Sequence, residues 1–118
     1  MPIKVRKPGT SSKGIPPGLE ASTERRIIEN AAKNHPGKFT RIEVRFRAAF
    51  CYIDVFTEAD GDSNMPTHLC RLRYLGNPDR WGFDYYTYAH EKYERSFLMS
   101  GQPMGTPEEA FDTSTMFL

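Results

Sequence analysis

The sequence predicts an α+β fold: a central antiparallel meander of four or five strands, with an N-terminal and a C-terminal helix packed on one face. Three observations carry this prediction. "TRIEVRFRA" alternates charged and apolar residues with the period of a strand. Further apolar and aromatic runs follow it through short connections, which favours neighbours in a meander. Segments with helical spacing bracket the strands at both ends. A chain of 118 residues is read as one domain, over 19–118. Residues 1–18 form a tail ahead of it, basic and rich in Pro, Gly and Ser, and expected to be flexible.

The first helix is expected in "STERRIIENAAKNHPG". Ser22 or Thr23 is placed as its cap, with Glu24 in the first turn, where negative charge suits the helix dipole. Ile27, Ile28 and Ala31 fall on one face, Ala32 extends the stripe, and Asn34, Pro36 and Gly37 end it. In the first strand Ile42, Val44, Phe46 and Ala48 point one way, while Arg41, Glu43, Arg45 and Arg47 point the other. "FCYIDVFT" follows with no clear turn. One long bent strand and a hairpin at Ala48–Ala49 both satisfy the pattern, and the hairpin is preferred. "EADGDSNMP" reads as a loop. "THLCRLRYLG" is a third strand, with Cys70, Leu72 and Tyr74 opposed to Leu69, Arg71, Arg73 and Leu75. "NPDR" has the residues of a turn, "WGFDYYTYAHEKYE" reads as a fourth strand, and "RSFLMS" as a fifth. "GTPEEAF" opens the second helix: Thr106 caps, Pro107 sits at the first helical position, and Glu109 has capping-box spacing. Phe111, Ser114 and Leu118 lie near one side of it, beside Ala110 and Phe117.

Composition narrows the function. With 16 basic and 15 acidic residues the net charge is +1, so the whole chain has no pull toward nucleic acid or an anionic membrane; any pull must come from uneven placement. No run approaches a membrane span or the apolar core of a signal peptide, so a cytoplasmic protein without membrane contact is expected. Two cysteines are too few for a disulfide framework.

The run "CRLRYLGNPDRWGFDYYTY", followed by "YE" and then "GTPEEAF", resembles a group of small bacterial proteins of unknown function. The resemblance covers about Phe46 to Leu118 and implies a bacterial, intracellular origin, with no activity and no site residues.

The arginine rows are the principal candidate for a site. Arg41, Arg45 and Arg47 share one side of a strand, and Arg71 and Arg73 share one side of another. If both rows face the same way they make a basic patch, with Tyr52, Tyr86, Tyr88 and Trp81 among them. Cations for phosphates and rings for bases suit single-stranded nucleic acid. The same residue types suit a protein partner or a homodimer joined through the sheet. Glu43, Asp54 and Asp84 are expected on that face too, where cross-strand ion pairs would make it an ordinary solvated surface. The leading expectation is a non-catalytic binding module. The alternative is a small enzyme with an acid–base pair near His90, beside Glu91 and Asp84.

Metal and cofactor chemistry find little support. His35, His68, His90, Cys51 and Cys70 are the soft ligands, and His68 and Cys70, two apart on a strand, are expected to point the same way. There is no CxxC, and both cysteines sit among apolar neighbours, so they read as small buried hydrophobes and no metal or cofactor is assigned. "DGDSN" opens like a calcium loop but meets Met65 and Arg71 where glycine and glutamate are needed.

Overall fold

The computed structural model describes residues 14–57, 65–116 and 118. Most of the tail, the "DGDSN" loop and Phe117 lie outside the described residues. The order of elements is α1 (Pro17–Asn34), β1 (Arg41–Arg47), β2 (Phe50–Phe56), β3 (Thr67–Asn77), β4 (Arg80–Thr87), β5 (Lys92–Arg95), β6 (Met104–Gly105) and α2 (Pro107–Thr115). The strands form one antiparallel sheet in the order β1-β2-β3-β4-β5. The two-residue β6 pairs with the start of β4 at Trp81 and Gly82, and β5 pairs with its end, Asp84–Thr87. This is the expected meander.

The hairpin at Ala48–Ala49 forms, with Arg47 paired to Phe50 across it. It uses Ala48 at φ 54°, a left-handed conformation that glycine supplies more readily. That explains why no turn signal stands there. "NPDR" turns as expected: the Asp79 amide donates to Asn77 Oδ1 at 2.8 Å. Gly76, at φ 90°, sits where the β3–β4 register slips by a residue pair.

Three element boundaries differ from expectation. The first helix begins at Pro17, so Ser22 and Thr23 lie inside it. Proline is at home in a first helical turn, where its missing amide costs nothing. Ile15, in the stretch read as tail, is buried in the core. Thr23 faces the core with Ile27 and Ala31, while Ile28 and Ala32 are exposed. "WGFDYYTYAHEKYE" is two strands rather than one. Residues 88–91 turn between β4 and β5, with Glu91 at φ 54°. The fifth strand is therefore Lys92–Arg95, and "RSFLMS" continues as irregular chain.

Both helices cover the face that carries Cys51, Ile53, Leu72, Trp81 and Phe83, all buried with Ala110 and Phe111 of α2. Thr106 caps α2 by accepting from the Glu109 amide at 3.1 Å. Two polar clasps join the helices. Arg26 grips Glu108 with two bonds of 2.8 Å, and Asp112 accepts from Asn30 at 2.8 Å while lying 2.8 Å from His35 Nε2. No helix among the described residues is long and apolar enough to cross a membrane.

Candidate functional site

Strand register decides where the arginines point, because residues directly opposite one another share a face. Arg45 pairs with Tyr52 and Glu43 with Asp54. Tyr52 pairs with Arg71 and Phe50 with Arg73. Arg71 pairs with Asp84, which pairs in turn with Arg95, and Tyr86 pairs with Tyr93. Arg41, Arg45, Arg47, Arg71 and Arg73 therefore converge on one face, opposite to the helices, and Tyr86 and Tyr88 join them. Arg95 adds a sixth arginine. Trp81 is not among them: it lies on the helix-covered face, 1% exposed, donating to the Pro78 carbonyl at 2.8 Å.

Two buried carboxylates root this face. Asp84, 1% exposed, accepts from Arg71 Nε at 2.9 Å and has Arg73 at 3.5 Å. Gly82 makes the second approach feasible, since a β-carbon there would fall within 3 Å of the Arg73 guanidinium. Asp54, 3% exposed, accepts from Arg45 at 3.0 Å and lies 2.9 Å from His68 Nδ1. At the sheet margin Arg41 meets Glu43 at 3.1 Å and lies 4.1 Å over the Phe56 ring. The arginines are thus partly paired, as a solvated face would have them. Yet three carboxylates face six arginines, and Arg47 and Arg95 have no ion-pair partner among the described residues.

Between the carboxylates runs a row of rings. Tyr52 meets Tyr93 at 5.5 Å, Tyr93 meets Tyr86 at 4.9 Å, and Tyr86 meets Tyr88 at 4.7 Å, each edge to face. Arg71 lies 4.4 Å over Phe50 and 5.2 Å over Tyr93, so cation and ring contacts interleave. Burial pushes the Tyr93 hydroxyl well above its ordinary pKa, so it stays protonated. A depression of about 450 Å³ opens here, lined by Arg45, Arg47, Tyr52, His68, Tyr86 and Tyr93.

His68 reaches this face through a break in the strand. Ile53 pairs with Cys70 but Asp54 pairs with His68, so Leu69 is an extra residue in β3. The bulge sends His68 to the arginine face and Cys70 to the core, which corrects the expectation that the two point the same way. It also turns Leu69 inward, away from Arg71 and Arg73, where it is buried. Both cysteines are free and buried; burial pushes the Cys70 thiol up to about 12 and raises Cys51 well above its ordinary value.

His90 stands elsewhere. It occupies the β4–β5 turn, 63% exposed, with Nδ1 2.9 Å from Glu94 rather than beside Glu91 or Asp84. His68, paired with the buried Asp54, lines the depression on the arginine face. Tyr93, Arg95 and His68 were not placed on this face by the sequence. For the first two the signal was the alternation in "KYER", hidden behind an unmarked turn. For His68 no signal exists, because nothing in "THLCR" marks a bulge. Comparisons with protein-family models, with curated proteins and with solved structures return no match for this chain.

Proposed function

We propose that this protein is a binding module whose open sheet face takes single-stranded nucleic acid. The observation that supports it is the excess of six arginines over three carboxylates on one face, interleaved with a continuous row of rings. The chain as a whole is nearly neutral, so this is the uneven placement that a polyanion partner requires. Pairing does not remove the arginines from service. Arg45 remains 53% exposed while bonded to Asp54, and a guanidinium has donors to spare. Sequence-tolerant stacking on the Tyr52–Tyr93–Tyr86 row complements the phosphate contacts. Two buried free thiols suit a reducing compartment, in keeping with a bacterial cytoplasmic setting.

The test is filter binding of single-stranded RNA and DNA across a salt series. Binding should weaken with salt, and Arg47→Ala should reduce the slope of log K against log salt by about 0.7. Absence of salt-sensitive binding at low salt defeats the proposal. A shift to dimeric mass in light scattering would then favour the same face as a contact between two copies.

A further inference from the structure

We propose that the depression on the open face also cleaves RNA, with His68 as the general base and Asp54 as its positioning residue. The inference rests on the reading of this face as a single-strand surface and extends it to a reaction. Asp54 is 3% exposed and rooted in β2. Its Oδ2 accepts from Arg45 at 3.0 Å, and its Oδ1 lies 2.9 Å from His68 Nδ1. An ionised carboxylate only accepts, so Nδ1 carries the hydrogen and donates it. In the neutral ring the lone pair then belongs to Nε2, which has no partner among the described residues. A buried carboxylate that selects one tautomer of a half-exposed histidine is the arrangement a general base needs.

The ring is also held in place. Tyr86 lies 4.9 Å away and Tyr88 is nearly parallel at 6.4 Å. The Tyr88 hydroxyl accepts from the His68 backbone amide at 2.7 Å. Arg45 and Arg47 line the same depression. Its volume of about 450 Å³ falls within the ~300–1,000 Å³ typical of small-ligand sites, so one nucleotide unit is a reasonable occupant.

The step balances on these groups. The 2′-hydroxyl gives its proton to His68 Nε2, and the O2′–P bond forms as the P–O5′ bond breaks. The leaving O5′ takes a proton from solvent, and His68 later returns its own. The products are a 2′,3′-cyclic phosphate and a 5′-hydroxyl. Arg45 and Arg47 offset the charge that builds on the phosphoryl oxygens.

The experiment incubates the full chain, at saturating concentration in EDTA, with end-labelled single-stranded RNA and with DNA of the same sequence. RNA should be cut to fragments with cyclic phosphate ends, and DNA should be bound but left whole. His68→Ala should slow the cleavage of bound RNA about 100-fold at saturating protein, with added imidazole restoring part of the rate. Asp54→Asn should lower kcat and leave KM unchanged. Asp54 is buried, so if that variant fails to fold, His68→Ala and His68→Gln, at a side chain 36% exposed, keep the test decisive. RNA bound but uncut overturns this inference and leaves the binding proposal standing. Cleavage undiminished in His68→Ala, or equal cleavage of DNA, overturns it as well. RNA that does not bind overturns both.

Discussion

On the helix-covered side of the sheet, Ile53, Leu72, Trp81 and Phe83 pack against Ala110 and Phe111 with almost nothing charged among them. On the other side, one residue along the same strands, arginines, tyrosines and two buried carboxylates take their place. The first face is stable because apolar area leaves water. The second is ordered because buried anions fix where long cationic side chains lie. The comparison teaches that burial alone does not define a core here. Asp54 and Asp84 are as buried as Ile53, yet they organise a surface.

The largest test of this division is Phe111→Ala, which removes the fully buried ring that α2 contributes to the core. It should cost about 3–5 kcal/mol in urea unfolding. Next comes Asp84→Ala, which strands Arg71 and Arg73 without their shared anion. A loss of about 3 kcal/mol is expected, near that of a core truncation although the site belongs to the open face. A loss below about 0.5 kcal/mol, as for an ordinary surface change, would make that face a solvated surface like any other. Ala48→Gly acts on the turn between β1 and β2 and should stabilise by about 0.5–1 kcal/mol in thermal melts, by relieving the positive φ.

The helix clasp has a pH signature. Burial tends to raise the Glu108 pKa, but the Arg26 bonds outweigh it and hold the carboxyl below its ordinary 4.5. A depressed folded-state value means that the clasp stabilises fully above pH 4.5 and is lost as pH falls through the folded value. For this partly exposed pair the effect should be about 0.5 kcal/mol, read as the wild-type minus Glu108→Gln difference against pH. The smallest effect is Arg47→Ala. Stability should change by less than about 0.5 kcal/mol while RNA affinity falls, which separates binding from folding on the open face.

Much of this was legible in sequence because period and chemistry agreed. "RIEVRFR" announced its two sides, and Thr106–Pro107 announced the last helix. Asp54 and Asp84 fell correctly among the arginines by counting in twos. Counting fails where the chain inserts a residue without a signal. Leu69 is as apolar as its neighbours, so the bulge that separates His68 from Cys70 leaves no mark. The β4–β5 turn hides in the same way, since "YAHE" contains neither glycine nor proline. Pro16–Pro17 misled in the opposite sense, reading as tail where it starts a helix.

The position of Trp81 bears on how these faces can be watched. It is the only tryptophan in the chain, enclosed beside Tyr74 on the covered side. Its fluorescence should therefore report unfolding of the core and stay nearly silent when a ligand settles on the opposite face. The tyrosines of that face carry the complementary optical signal. A titration that changes tyrosine emission while leaving the tryptophan maximum still would localise an arriving ligand without any label.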